Sequence, residues 1–97
     1  MGINGHMKYE VTYTSTIRRQ LKVLQKSRKD MSKFKEIVFL LATGVTLPAR
    51  YRDHALTGKY KGYRDCHIES DWILIYKIDN DKLILFLFQT GTNSDLF

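Results

Sequence analysis

The stretch from Tyr63 to Phe88 reads YRDCHIESDWILIYKIDNDKLILFLF, and its pattern decides the fold. It contains three strand-like runs, Tyr63–Ile68, Trp72–Ile78 and Leu83–Phe88, and the last two are rich in β-branched, aromatic and leucine residues. Two short polar steps, Glu69–Ser70 and Asp79–Asp81, separate the runs and are typical of tight turns. The stretch therefore predicts three consecutive strands in an antiparallel meander.

The residues before this stretch predict one more strand and two helices. Tyr9–Tyr13 alternates and is rich in Val, Thr and Tyr, as short strands are. Thr14 or Ser15 can cap a first helix, Asp30 can cap a second, and Gly44 can end the second. Apolar residues recur at helical spacing at Ile17, Leu21 and Leu24, and again at Met31, Phe34, Ile37, Val38 and Leu41.

Together these elements predict an α+β fold. The link Ser27–Asp30 is short, so we expect the helices to form an antiparallel hairpin. The hairpin is expected to pack on one face of a twisted antiparallel β-sheet. Between the second helix and the meander, Val45–Lys61 is polar and irregular, and loops of this length in compact domains are often functional.

The composition predicts one small globular domain with a basic surface. The chain has 97 residues, and 16 Lys and Arg against 10 Asp and Glu give it a formal charge of +6. Such an excess favours a polyanionic partner, namely nucleic acid, anionic lipid or an acidic protein, and the alternative is a set of ordinary solvated lysines. Cys66 is the single cysteine, which excludes a disulfide framework within the chain and fits a reducing compartment.

The N-terminal residues are set apart from the domain. Residues 1–6 are interpreted as an expression-vector scar, because Met7 follows a Gly-His pair, and the domain is expected to cover residues 7–97. No signal peptide is visible, and no apolar run approaches the ~18 residues that span a bilayer. We therefore expect a cytoplasmic protein without a membrane partner.

Two histidines outside the scar could carry acid–base chemistry. His54 lies in the polar loop, and His67 lies in the first strand of the meander. Strand alternation puts Tyr63, Asp65 and His67 on one face and Arg64, Cys66 and Ile68 on the other. A hairpin could also bring Asp71 close to His67.

These groups suit RNA cleavage without a metal ion. That reaction needs a base for the ribose 2′-hydroxyl, an acid for the leaving oxygen and cations for the phosphate. Histidine can act as acid or base, Arg50, Arg52, Lys59, Lys61 and Arg64 supply cations, and Tyr60, Tyr63 and Trp72 could stack on bases. The alternative is structural: a hydrogen-bonded strand histidine, a buried tryptophan, a turn aspartate and solvated lysines. No zinc site or cofactor is predicted, because the chain lacks a second cysteine and a glycine-rich phosphate loop.

A family resemblance extends this interpretation. The segments Asp53–Gly58 (DHALTG), Lys59–Ile68 (KYKGYRDCHI) and Asp71–Tyr76 (DWILIY) closely resemble the YafQ-type toxins of the RelE/ParE superfamily. Thr90–Thr92 and Asp95–Phe97 resemble the C-terminus of that family.

The resemblance implies a fold, an activity and a partner. It implies a RelE-like fold and a toxin of a type II toxin–antitoxin pair that cleaves mRNA, usually on the ribosome. It places His54, His67 and Asp71 at catalytic positions, Trp72 beside them and Phe97 at a functional C-terminal position. It also implies an antitoxin partner, and the charge of +6 favours an acidic one.

Two positions depart from the family pattern. Relatives generally carry an Arg at the end of the last strand and a His shortly after it, where this chain has Gln89 and Asn93. Gln brings no charge, and Asn does not exchange a proton near neutral pH.

Three hypotheses follow from the sequence. The first is an endoribonuclease toxin that uses His54, His67 and Asp71, and that Gln89 and Asn93 would slow. The second is a protein of the same fold that binds RNA, ribosome or antitoxin with weak or absent catalysis. The third is a gyrase-directed toxin of the ParE type, which the paired histidines disfavour.

Overall fold

The architecture comes from a computed structural model that describes residues 7–90. In chain order its helices and strands are β1 (Glu10–Tyr13), α1 (Ser15–Gln25), α2 (Met31–Ala42), β2 (His54–Ala55), β3 (Arg64–Glu69), β4 (Trp72–Asp79) and β5 (Lys82–Thr90). Two short 3-10 helices, Ala49–Tyr51 and Gly58–Tyr60, flank β2. Both predicted helices and all four predicted strands are present, whereas β2 lies in the segment that was predicted to be irregular.

The helix boundaries follow from the predicted capping residues. The Thr14 hydroxyl accepts a hydrogen bond from the Ile17 amide at 3.2 Å, and the Asp30 carboxylate accepts one from the Ser32 amide at 3.0 Å. Gly44 follows α2 with a φ of +80°, the left-handed conformation that favours glycine after a helix. Within residues 7–90, no helix is long and apolar enough to cross a membrane.

The five strands form one sheet in the order β1-β5-β4-β3-β2. The predicted meander β3-β4-β5 is antiparallel, and its second turn places Asn80 at a φ of 57°. The expectation of a wholly antiparallel sheet is corrected at one edge, because β1 runs parallel to β5, with Glu10 opposite Lys82. The α+β arrangement is confirmed, and the sheet is mixed.

The hydrophobic core lies between the helices and one face of the sheet. The helices contribute buried residues at helical spacing, which include Ile17, Leu24, Phe34, Ile37 and Leu41. The sheet contributes Cys66, Ile68, Trp72, Leu74, Tyr76, Leu83, Leu85 and Phe88. Because Cys66 and Ile68 face the helices, the alternation of β3 directs Asp65 and His67 to the opposite face, as predicted.

One polar side chain holds α1 to the end of β5. Gln20 is 5% exposed, and its amide makes two hydrogen bonds with the backbone of Phe88. The Gln20 Nε2 donates to the Phe88 carbonyl at 3.1 Å, and the Gln20 Oε1 accepts from the Phe88 amide at 2.8 Å. The pairing of β1 with β5 stops at Leu85. Beyond that point the Gln20 side chain takes the place of a neighbouring strand and forms hydrogen bonds with the β5 backbone.

We expect Gln20→Leu to lower the free energy of unfolding by about 1–3 kcal/mol, because it removes two buried hydrogen bonds. Denaturant unfolding measures this change. Gln25→Leu on the exposed end of α1 is the matched control, and it should change stability by less than about 0.5 kcal/mol. Equal effects of the two substitutions would contradict the role given to Gln20.

Candidate active site

His54 lies in β2, at the edge of the sheet, where it is paired opposite Asp65 of β3. Arg52 adopts a left-handed φ of 51° and turns the chain into this strand. The His54 Nδ1 lies 2.9 Å from the Arg52 carbonyl oxygen. Because a carbonyl only accepts hydrogen bonds, this contact assigns the ring proton to Nδ1 and leaves Nε2 able to exchange a proton. The side chain is 55% exposed, so a substrate can reach it.

Asp65 links the two histidines. Its Oδ1 lies 3.1 Å from the His54 Nδ1, and its side chain is 12% exposed. The ring proton of His54 is directed at the Arg52 carbonyl, so the Asp65 Oδ1 has a charge interaction but no hydrogen bond among the described residues. Burial raises the pKa of the Asp65 carboxyl, and the opposing attraction of His54 and His67 only reduces that shift.

His67 follows Asp65 by two residues on the same face of β3 and is half-buried. It lines a cavity of about 520 Å³ between α2, the 3-10 helix Ala49–Tyr51 and the end of β3. The charged residues of the cavity wall are Lys33, Glu36, Arg50, Arg52 and Glu69. Within residues 7–90, the Arg52 guanidinium forms no ion pair, so it is available to an anion in this cavity.

The third predicted catalytic residue, Asp71, does not join this group. Its Oδ1 lies 3.5 Å from the Lys29 Nζ, in the turn between β3 and β4. Among the described residues it forms no ion pair with either histidine, and it does not line the cavity. The expected contact with His67 is therefore absent among the described residues, although β3 and β4 pair on both sides of a register shift between His67 and Glu69.

Trp72 was predicted to contact RNA, and its position corrects that prediction. The side chain is fully buried in the core, with its ring centre 5.7 Å from that of Phe88. The Lys29 Nζ lies 5.6 Å from the ring centre. A base cannot stack on a ring that is already covered, so Trp72 supports the turn that carries Asp71.

The predicted substrate-binding residues are divided among several places. Arg64 lies on the helix face, where its Nε donates to the Asp53 carboxylate at 3.1 Å, so it is less available to RNA than predicted. Lys59 is exposed within the 3-10 helix Gly58–Tyr60, and Lys61 is exposed directly after it. Gln89 is exposed on β5 and lies in the same row of the sheet as Ile73 and His67. Asn93 and Phe97 lie outside the described residues.

The structure thus brings together His54, Asp65, His67 and Arg52. Sequence reasoning placed Asp65 on the face of His67 but gave it no role. The signal that could have found it is the pairing of the two histidine-bearing segments, which alternation alone does not reveal. Across residues 7–90, no three side chains of the metal-ligating types His, Cys, Asp and Glu lie close enough together to hold a metal ion.

The raised pKa of Asp65 predicts a pH-dependent cost in stability. The folded state disfavours the charged carboxylate. The free energy of unfolding therefore falls as the pH rises from the ordinary pKa of 3.8 through the raised pKa of the folded state. We expect Asp65→Asn to raise the melting temperature at pH 7, with a gain that shrinks as the pH falls toward 3.8. The same substitution should lower activity, because it removes the charge beside His54.

Thermal melts at several pH values measure the Asp65 effect. Asp79→Asn is the matched control, because Asp79 is an exposed carboxylate at the end of β4. A gain at pH 7 that is no larger than the gain at acidic pH would show that the buried charge carries no cost.

Comparison with known proteins agrees with this fold. Residues 9–97 match the family described as "Bacterial toxin of type II toxin-antitoxin system, YafQ". The chain is 47% identical over 89 residues to the mRNA interferase toxin YafQ of Escherichia coli. The aligned region covers 91% of this chain and 95% of that protein.

Two solved structures share the architecture. A crystal structure of YafQ from E. coli has a TM-score of 0.80 and 40% identity, over 86% of this chain and 93% of that one. The E. coli DinJ-YafQ toxin-antitoxin complex gives a TM-score of 0.79 and 41% identity, over 87% of this chain and 93% of that one. With the helix pair, the mixed sheet and the paired histidines, these matches show that the chain belongs to the YafQ family of bacterial type II toxins.

Proposed function

We propose that this protein is an mRNA interferase, a metal-independent endoribonuclease that cuts mRNA on the ribosome and thereby inhibits translation. The observation that carries the proposal is that His54 and His67 lie on one face of the sheet with Asp65, which interacts electrostatically with both, and that His67 lines a cavity with an available arginine. The name of the E. coli relative supports the same activity.

His54 is suited to the role of general base. Its Nδ1 proton is held by the Arg52 carbonyl, so Nε2 can accept the proton of the ribose 2′-hydroxyl. The 2′-oxygen then attacks the phosphorus, and the Asp65 carboxylate stabilises the imidazolium that forms. In this scheme Asp65 is a positioning and charge-stabilising group that the sequence did not reveal.

His67 is suited to the role of general acid. As the bond from phosphorus to the 5′-oxygen breaks, its imidazolium gives a proton to the leaving oxygen. The products are a 2′,3′-cyclic phosphate and a 5′-hydroxyl, and no further reactant is consumed. Arg52 stabilises the charge that builds on the phosphate from within the same cavity.

The two departures from the family pattern support a slow enzyme. Gln89 lies in one row of the sheet with His67 and is uncharged, so it stabilises a phosphate less than an arginine would. Asn93 adds no second acid. The same two residues favour the second candidate function, a toxin-fold protein that binds RNA, ribosome or antitoxin with little or no catalysis.

The partner and the compartment are part of the proposal. The relative in the DinJ-YafQ complex is bound to an antitoxin, and a charge of +6 favours an acidic antitoxin for this chain. We propose that the protein acts in the bacterial cytoplasm, where translating ribosomes are found.

Cleavage of a defined mRNA, free and on translating ribosomes, tests this function. We expect cuts within the translated region and little cutting of free RNA. Retention of RNA or ribosomes without cutting would replace the enzyme with the binding protein. Neither cutting nor binding would overturn both candidate functions.

A further inference from the structure

A second cluster of polar groups lies on the other face of the sheet from the histidines. The Tyr76 hydroxyl lies 2.8 Å from each of the two carboxylate oxygens of Asp53. The Arg64 Nε lies 3.1 Å from the Asp53 Oδ1. Tyr76 and Arg64 are opposite each other in β4 and β3, so they form a fixed platform for the carboxylate.

Both groups of the platform donate hydrogen bonds to the Asp53 carboxylate. Tyr76 is 1% exposed and belongs to the hydrophobic core. Burial and the neighbouring Asp53 carboxylate raise the pKa of the Tyr76 hydroxyl well above its ordinary value. The hydroxyl therefore keeps its proton near neutral pH and can donate it in a hydrogen bond to the Asp53 carboxylate.

The strand that carries His54 needs an anchor of this kind. β2 has only two residues and lies at the edge of the sheet, where it is paired to β3 alone. Such a short edge strand makes few backbone hydrogen bonds. Asp53 immediately precedes it and is directed to the helix face, whereas His54 lies with Asp65 on the opposite face.

We propose that Asp53 and Tyr76 are positioning residues for His54, which hold the start of β2 so that the imidazole meets Asp65 and the Arg52 carbonyl. The Asp53 anchor fixes the backbone between Arg52 and His54, and the ring orientation depends on that backbone. The effect on catalysis rests on the proposed nuclease function, whereas the effect on the His54 ring does not.

Activity gives the first test. Tyr76→Phe removes one hydroxyl and no core volume, and it should lower kcat by about 10- to 100-fold with a much smaller change in KM, because a displaced catalytic group costs rates of this order. Asp53→Asn is a second variant with the same expected direction. Tyr13→Phe removes a hydroxyl from β1 at the opposite edge of the sheet, and it should leave kcat unchanged.

The ring nitrogens of His54 give the second test, which needs no activity. In the parent protein, long-range ¹H–¹⁵N spectra should show the Nδ1–H form of His54 alone. In Tyr76→Phe and in Asp53→Asn, they should show a mixture of the two ring tautomers. Tyr13→Phe should match the parent, and circular dichroism checks that each variant is folded.

The outcomes separate this inference from the proposed function. The parent protein could cut no RNA and still show a single His54 tautomer that Tyr76→Phe converts to a mixture. That result would overturn the nuclease function and support the anchor. Unchanged His54 spectra in both folded variants would overturn the anchor, whatever happens to kcat. If Tyr76→Phe fails to fold, Asp53→Asn alone decides, because Asp53 lies outside the hydrophobic core.

Discussion

His67→Ala is expected to abolish measurable RNA cleavage while the chain keeps its fold. Removal of a general acid typically costs ~10²–10⁴-fold in rate, and no other histidine in residues 7–90 lines the cavity beside Arg52. The fold should survive because His67 is half-buried and does not belong to the hydrophobic core cluster. Single-turnover cleavage and a thermal melt measure the two effects.

His67→Gln is the matched variant for this experiment. Glutamine keeps hydrogen-bonding capacity but does not transfer a proton near neutral pH. It should therefore be as inactive as His67→Ala. Cleavage at the parent rate by either variant would remove His67 from the mechanism.

Asn93→His is expected to raise the cleavage rate, by up to about 10²–10⁴-fold if the chain lacks an acid at this position. The reason is the family pattern, in which a histidine follows the last strand where this chain has Asn93. The rate of cleavage of one defined mRNA measures the gain. A histidine at this position could share the proton transfers that His54 and His67 otherwise carry alone.

Asn80→His controls for the addition of a histidine elsewhere. Asn80 lies in the turn between β4 and β5 with a φ of 57°, a conformation that histidine tolerates better than most residues. The control should cut at the parent rate. If Asn93→His also shows no gain, this position does not hold a missing acid or another residue already does its work, and the explanation of a slow enzyme fails.

The fold could be predicted where local patterns determine it. The meander follows from alternation and from turn residues that are neighbours in sequence, and the helices follow from spacing and from the caps Thr14 and Asp30. The parallel pairing of Glu10 with Lys82 joins the two ends of the domain, so no local pattern indicates it. β2 was missed because two residues have no period, and because its pairing with β3 joins segments that are separated in sequence.

The site was predictable in part for the same reason. Residue type and family resemblance indicated His54 and His67, and the structure shows that they share one face with Asp65. Aromatic and basic residues near the histidines could not be assigned to a face by composition. Trp72 proved to be in the core and Arg64 bound to Asp53, so nearness in sequence to the histidines did not show which side chains are exposed beside them.

The most direct measurement is the mapping of RNA ends after cleavage of a defined mRNA on translating ribosomes. We expect cuts that leave a 2′,3′-cyclic or 3′-phosphate and a 5′-hydroxyl, and no cuts with His67→Ala. Ends with a 3′-hydroxyl and a 5′-phosphate, or no cuts by either the parent or Asn93→His, would contradict the proposed function.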